Sequence, residues 1–241
     1  MEQLSFEQAP TIVNVNEHHM ALLFLLDVSG SMNATIHIGD RQSTAIEELN
    51  RALGVFKNKV CEDEHTADIL DVAIISFNDK YRVVQDFLPI EYMENVMLRA
   101  DGATYICKPL DVALEKVNER SRLYRKTGTE PYKPWIVIIT DGMAMDEPQE
   151  INAIAEKATK MAEESKVAVW SLAVGPAAED EEVKKMLHKI CGKRVLKLEG
   201  YDFEGFLEWT NKSMRAVSVS SPGDKVRGQE LPHTTTIDEL M

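Results

Sequence analysis

The length, composition and charge of the chain narrow its class. Its 241 residues are many for one minimal domain and few for two, so we expect one domain with extensions. A hydrophobic fraction of 44% is sufficient for a sizeable core and argues against global disorder. The formal net charge of -13 repels phosphate backbones and therefore argues against nucleic-acid binding.

The cysteines and the N-terminal sequence favour a protein of the cytoplasm. Cys61, Cys107 and Cys191 are odd in number and widely spaced, unlike the cysteines of a disulfide framework or a zinc ribbon. The segment Met1–Pro10 has no basic region of the kind that opens a secretory signal. The most apolar run, Met20–Leu26, is far short of the roughly 20 residues that a membrane span requires. We therefore predict a cytoplasmic protein with no membrane partner.

Apolar runs and helical spacings alternate along the chain. The apolar runs predict strands at Met20–Leu26, Ile69–Phe77, Tyr81–Phe87, Trp135–Ile139, Val167–Val174 and Arg194–Leu198. Apolar residues at helical spacing predict helices at Thr44–Val60, Pro109–Tyr124, Ile151–Ser165, Glu181–Cys191 and Phe203–Ala216. The turn at residues 78–80 is too short for a parallel crossover, so the strand after it must run antiparallel.

This order predicts an α/β fold with helices on both faces of a sheet. We expect a three-layer, doubly wound (Rossmann-like) arrangement around a mostly parallel, six-stranded sheet with one antiparallel edge strand. The domain is predicted to span residues 18–217, after a lead-in segment at residues 1–17. Residues 218–241 are rich in Ser, Pro, Gly and Thr and are predicted to form a flexible tail.

Polar groups follow the strands at one predicted edge of this sheet. One apolar strand ends at Asp27, with Ser29 and Ser31 close behind, and another ends at Asp141. The loop that carries Thr104 lies between a sheet element and a helix and can reach the same edge. Ligand sites of open α/β sheets lie beyond the carboxyl ends of the strands.

These groups are carboxylates and hydroxyls, with no thiolate and no imidazole among them. Such donors suit a hard cation, with Mg²⁺ as the first expectation and Mn²⁺ and Ca²⁺ as alternatives. The hydroxyls are neutral, so Asp27 and Asp141 supply most of the compensating charge. A cation held in this way keeps an open position, which an acidic side chain of a partner protein can fill. The nearby Asp146 is either a supporting group or an exposed loop acid.

The segments Asp27–Ser31, Thr104 and Thr140–Gly142 resemble the metal-ion-dependent adhesion site of von Willebrand factor A (VWA) domains. The resemblance covers about residues 18–217. It implies that Ser29, Ser31 and Thr104 contact the cation directly, while Asp27 and Asp141 are outer or alternating ligands. The loop sequence Gly102-Ala103-Thr104 departs from the common Gly-Gly-Thr, and the extra methyl group requires a negative φ at Ala103.

Within that family, the chain is most similar to bacterial intracellular, TerY-like VWA proteins associated with tellurium resistance. Three stretches carry this resemblance, at residues 25–32, 133–142 and 202–209. It implies a non-enzymatic, metal-dependent interaction module in a bacterial stress-response assembly.

The sequence leaves two other functions open. One is a metal-dependent phosphatase of the haloacid-dehalogenase type, which needs a second aspartate two residues after the nucleophile. That position is Ser29, so a nucleophilic Asp27 would lack its proton shuttle. The other is a scaffold whose metal only holds the loops together, which the sequence does not separate from the interaction module.

Overall fold

The computed structural model of the protein describes residues 17–198 and 201–220, together with the backbone of residues 234–236. Residues 1–16 of the predicted lead-in segment lie outside the described residues. Residues 221–233 and 237–241 of the predicted tail also lie outside them.

The described residues form nine strands and six α-helices. The strands are β1 (Met20–Asp27), β2 (Thr35–Ile38), β3 (Arg41–Thr44), β4 (Leu70–Phe77), β5 (Tyr81–Pro89), β6 (Trp135–Thr140), β7 (Ala168–Ala173), β8 (Val195–Leu198) and β9 (Thr234–Thr236). The helices are α1 (Ala45–Cys61), α2 (Glu64–Ile69), α3 (Cys107–Lys126), α4 (Pro148–Glu163), α5 (Glu181–Cys191) and α6 (Phe203–Ser218). All six predicted strands and all five predicted helices are present, with ends shifted by a few residues.

The main sheet has the strand order β5-β4-β1-β6-β7-β8-β9. Strands β4, β1, β6, β7 and β8 run parallel, and β5 pairs antiparallel with β4 at one edge. This confirms the predicted six-stranded, mostly parallel sheet with its antiparallel edge strand. The short strand β9 adds antiparallel to β8 at the other edge, so Thr234–Thr236, within the predicted tail, pair with the sheet.

Alternate residues of the central strands supply two separate cores. Leu22, Phe24 and Leu26 of β1 pack in the core that contains apolar residues of α1 and α6. Leu23 and Leu25 pack in the other core, with α3, α4 and α5. Every residue of β1, β4 and β6 is buried, as expected for parallel strands that are covered on both faces. The three-layer arrangement predicted from the sequence is therefore confirmed.

A hairpin between the first strand and the first helix does not follow from the sequence pattern. Strands β2 and β3 pair antiparallel around Gly39, whose φ of 58° is in the left-handed region. Apolar residues alternate only at Ile36 and Ile38, and β3 has none, so the pattern is too short to mark a pair of strands. The helix after it begins with a capping box in which Thr44 and Glu47 satisfy each other's backbone N–H groups.

A buried ionic cluster lies at the amino end of β4. The guanidinium of Arg120 donates to the Asp71 carboxylate, with Nη2 at 2.7 Å and Nε at 3.2 Å from Oδ2. Tyr124 also donates its hydroxyl proton to the same oxygen. All three side chains are at least 94% buried, since their exposed fractions are 6%, 1% and 0% for Arg120, Asp71 and Tyr124. The cluster joins helix α3 to the sheet.

We predict that Arg120→Ala lowers the free energy of unfolding by about 3–5 kcal/mol, because the substitution leaves a buried carboxylate without its cation. The measurement is urea denaturation followed by circular dichroism. Arg125→Ala is the matched control, since Arg125 pairs with Glu130 at the surface at 3.3 Å and should cost less than about 1 kcal/mol. Equal losses in the two variants would contradict the assignment.

Candidate metal centre

Three loops meet at the carboxyl edge of the sheet. Strands β1 and β6 are parallel neighbours, with Leu26 opposite Ile139, so both end at the same edge. The first loop follows β1, the second follows β6, and the third carries Thr104. Two backbone hydrogen bonds join the third loop to the first: Gly30 N donates to Gly102 O at 2.8 Å, and Asp101 N donates to Val28 O at 2.8 Å. The topology therefore brings together the three segments that the sequence pattern singles out.

Hydrogen bonds connect the predicted ligands from one loop to the next. The hydroxyls of Ser29 and Ser31 are 3.0 Å apart, and Ser31 Oγ donates to Asp141 Oδ1 at 2.6 Å. Asp27 Oδ1 accepts from the backbone N–H of Ser29 at 2.8 Å, and its Oδ2 accepts from Thr140 Oγ1 at 2.6 Å. Four of the five predicted ligands thus belong to one connected network.

The fifth predicted ligand, Thr104, borders the same space. A methyl group built on Gly142 would lie 3.6 Å from Thr104 Oγ1 and 3.8 Å from Ser31 Oγ. Both hydroxyls therefore face the open space over this glycine. The Thr104 carbonyl accepts from Met145 N at 2.8 Å, which joins the second and third loops.

Burial of the two carboxylates raises their pKa values. Asp27 and Asp141 are 0% and 3% exposed. Burial raises the pKa of Asp27, against the hydrogen bonds from Ser29 and Thr140, which lower it. Burial also raises the pKa of Asp141 from 3.8 to about 6; the Ser31 hydrogen bond opposes this change and the charge of Asp27 adds to it. Two buried carboxylates that repel each other form a site that favours a cation.

The donor set fits a hard divalent cation. It consists of two carboxylates and three hydroxyls, and a glycine leaves room beside two of the hydroxyls. Within residues 17–198 and 201–220, no three His, Cys, Asp or Glu side chains are grouped to hold a metal ion. The present site has only two such residues, so the hydroxyls of Ser29, Ser31 and Thr104 would have to complete the coordination.

Residues of the turn between β4 and β5 position the Thr104 loop, although the sequence pattern indicates only a tight turn there. Asn78 Nδ2 donates to Asp101 O at 2.8 Å, and Asp79 Oδ1 accepts from Ala103 N at 3.0 Å. Gly102 has a φ of 76°, and a Cβ there would collide with the Asp79 carboxylate. No sequence signal links residues 78 and 79 to this loop, because the contact depends on the sheet order.

Asp146 supports the same loop from its other side. Its carboxylate accepts from Ile106 N at 2.7 Å and from Cys107 N at 3.1 Å, which caps the amino end of α3. Of the two interpretations of Asp146, the structure favours the supporting group.

The backbone at Ala103 accommodates its methyl group. Ser165 is the one non-glycine residue with positive φ in the described part of the chain, so Ala103 has the negative φ that its side chain requires.

We predict that Asp141→Asn removes a pH-dependent destabilisation of the metal-free protein. The pKa of Asp141 is higher in the folded chain than its ordinary 3.8, so stability falls as pH rises towards and through about 6. The loss is at most about 3 kcal/mol, from a shift of about two pH units. The check is the difference in free energy of unfolding between wild type and variant, measured in EDTA from pH 4 to 8. A difference that does not change with pH would contradict the prediction.

Solved structures with the same fold include pilus proteins of bacteria. The chain aligns with the pilus adhesin SpaC from Lactobacillus rhamnosus GG at TM-score 0.64 and 13% identity, over 84% of this chain and 31% of that one. It aligns with the vWF domain of the type V pili tip protein Mfa5 from Porphyromonas gingivalis at TM-score 0.57 and 8% identity, over 87% and 99%. It aligns with the PilB minor pilin from Streptococcus sanguinis at TM-score 0.52 and 14% identity, over 86% of this chain and 64% of that one.

These similarities establish a shared fold. The chain spans less than two thirds of PilB and about a third of SpaC. A search of curated proteins by sequence found no match. The profile of the von Willebrand factor type A domain, however, matches residues 21–203, which is most of the chain and includes all three loops of the candidate centre. The chain therefore belongs to the von Willebrand factor type A domain family.

Proposed function

We propose that this protein is a metal-dependent protein-binding module. In this proposal Asp27, Ser29, Ser31, Thr104 and Asp141 hold one divalent cation, Mg²⁺ first, with Mn²⁺ and Ca²⁺ as alternatives. An Asp or Glu side chain of a partner protein completes the coordination. The observation that carries the proposal is the hydrogen-bonded network that joins Asp27, Ser29, Ser31 and Asp141 across two strand ends.

The charges of the site support a cation with an open position. Asp27 and Asp141 together carry two negative charges when ionised, which balance one divalent cation, and the three hydroxyl ligands add none. A bound cation of this kind supplies a local positive charge that attracts a carboxylate. The protein fixes the position of this cation, because the hydroxyls of Ser29 and Ser31 are already held by hydrogen bonds.

Exposed apolar side chains that follow the proposed ligands in sequence support a protein partner. Tyr105, Met143 and Met145 are exposed by 40%, 41% and 64%, and each follows a proposed ligand within a few residues. Exposed apolar side chains grouped around a polar centre are typical of protein interfaces, in which aromatic residues and Met are enriched. The net charge of -13 does not favour nucleic acid as the alternative partner.

The proposal assigns no catalytic role to the site. The haloacid-dehalogenase alternative is not favoured, because the chain belongs to the VWA family. In addition, Ser29 stands where such a phosphatase needs its second catalytic aspartate. The scaffold alternative, with a metal that only holds the loops, differs from the proposal in one respect. It expects metal removal to lower stability and leave partner affinity unchanged.

The biological context is proposed from sequence resemblance. The TerY-like stretches at residues 25–32, 133–142 and 202–209 support a role in a bacterial stress-response assembly, such as tellurite or metal resistance. The cytoplasmic location inferred from the sequence is part of the same proposal. Among the described residues, no helix is both long enough and apolar enough to cross a membrane.

Calorimetric titration of EDTA-stripped protein with MgCl₂ tests the metal centre. We expect saturable binding at one site in wild type and at least about tenfold weaker binding in Ser29→Ala, which removes one hydroxyl ligand. Ser121→Ala is the matched control, because Ser121 is also buried but donates its hydroxyl proton to Val117 O within α3. Equal affinities of wild type and Ser29→Ala would refute the assignment of this ligand.

Gly142→Ala should separate metal binding from folding. The added methyl group would make ordinary contacts of 3.6 Å and 3.8 Å with Thr104 and Ser31, so the fold should tolerate it. It would nevertheless occupy the space beside two proposed ligands, and we expect Mg²⁺ affinity to fall by about tenfold or more. The measurements are the same calorimetric titration and a thermal melt in EDTA.

Gly54→Ala is the control for this substitution. Gly54 lies within α1 and has no atom within 4 Å of an added Cβ, so the change should stabilise the helix and leave Mg²⁺ affinity unchanged. Unchanged affinity in Gly142→Ala as well would place the cation elsewhere.

A further inference from the structure

A groove beside the proposed metal centre is lined by residues of the edge strand of the sheet. Its volume is about 960 Å³, and one wall is strand β5. The other wall is the segment at residues 94–99, which returns from the end of β5 towards the Thr104 loop. Val28 and Asn78, which hold the third loop, line the end of the groove next to the centre. We call this feature the β5 groove.

Hydrogen bonds anchor the returning segment, so the groove is a built feature of the fold. Asn50 of α1 donates from Nδ2 to Leu98 O at 2.9 Å and accepts from Leu98 N at 2.8 Å. Gln85 accepts from Glu94 N at 3.1 Å and donates to Val72 O at 3.0 Å. Both ends of the segment are therefore tied to neighbouring elements.

The end of the groove near the centre is positively charged. Lys80, Arg82 and Arg99 line it, and all three are exposed. In the described part of the chain, none of them forms an ion pair with a carboxylate, whereas Asp86, further along the groove, pairs with Lys116 at 2.7 Å. Glu94 also lines the groove and forms no ion pair among the described residues, so the unpaired cations outnumber the unpaired carboxylates by three to one, in a chain whose net charge is -13.

The position of the groove beside an edge strand suits an extended chain. Strand β5 is the last strand of the sheet at this edge, so its outer backbone groups have no neighbouring strand among the described residues. Extended peptides bind at such edges, where the backbone gives affinity and the side chains give specificity. Tyr81 and Met97, exposed by 40% and 82%, add apolar surface along the groove.

We infer that the β5 groove binds an extended, acidic segment of a partner protein. Lys80, Arg82 and Arg99 attract carboxylates of this segment, which continues from the residue bound at the metal centre. The continuation of the segment from the metal centre rests on the proposed function, whereas the contacts within the groove do not require a cation. A second copy of this chain is a poorer occupant, because two copies with a net charge of -13 repel each other.

Fluorescence anisotropy tests the inference with a defined probe. The probe is a fluorescein-labelled ten-residue peptide of alternating Glu and Thr, and the control peptide has Gln in place of Glu. The test variant is Arg82→Glu/Arg99→Glu in the full chain. The matched control is Arg122→Glu/Lys160→Glu, which changes the net charge equally at exposed positions of α3 and α4. Circular dichroism verifies that each variant is folded.

We expect the Glu peptide to bind wild type and the Gln peptide to bind at least about tenfold more weakly. Arg82→Glu/Arg99→Glu should weaken Glu-peptide binding by about tenfold or more, and the control pair by less than about twofold. No binding of the Glu peptide to wild type, or equal losses in the two double variants, would overturn the inference. Self-association that the Arg82→Glu/Arg99→Glu change abolishes, without peptide binding, would assign the groove to a second copy instead.

Titrations with Mg²⁺ and with EDTA distinguish this inference from the proposed function. If EDTA leaves peptide affinity unchanged while the groove variant loses it, the groove stands and the metal-dependent function fails. If Ser29→Ala or EDTA abolishes binding and the groove variant binds like wild type, the metal-dependent function stands and the groove inference fails.

Discussion

The burial of two neighbouring carboxylates at the edge of a parallel sheet is the constraint on which this site depends. Asp27 and Asp141 are almost inaccessible to solvent, and burial, with a further contribution from the charge of Asp27, raises the pKa of Asp141. Burial of like charges opposes folding unless hydrogen bonds or a cation compensate them. Serine and threonine hydroxyls supply part of this compensation. The negative charge that these hydroxyls do not compensate is the physical reason to expect a divalent cation.

The apolar composition of two strands is sufficient to bring these carboxylates together. Strands β1 and β6 are apolar along their whole lengths, so both are forced into the middle of the sheet, between two helical layers. Because they are parallel neighbours, their terminal aspartates lie at the same edge. The third loop reaches them through backbone hydrogen bonds to Val28 and Gly30. A methyl group at Gly142 would be in contact with the hydroxyls of both Thr104 and Ser31.

The sequence is sufficient to predict the central architecture and the proximity of the five candidate ligands. Continuous apolar runs identify the buried strands, and the short turn at residues 78–80 identifies the antiparallel edge strand. Features that depend on tertiary contact could not be found in this way. Asn78 and Asp79, in the turn between β4 and β5, hold the Thr104 loop through tertiary hydrogen bonds. The hairpin Thr35–Thr44 has apolar residues only at Ile36 and Ile38, which is too short a pattern to identify two strands. The β5 groove likewise arises from the path of a segment that has no regular secondary structure.

The central claim is that these oxygen atoms surround one divalent cation. Anomalous diffraction from crystals grown with MnCl₂ tests it most directly, since Mn²⁺ prefers the same oxygen ligands as Mg²⁺ and can be located by its scattering. The account predicts one strong anomalous peak within bonding distance of the hydroxyls of Ser29 and Ser31, and a weaker peak in crystals of Gly142→Ala grown at the same subsaturating MnCl₂ concentration. An ordered centre without a peak at saturating MnCl₂, or a peak at other residues alone, would contradict the account.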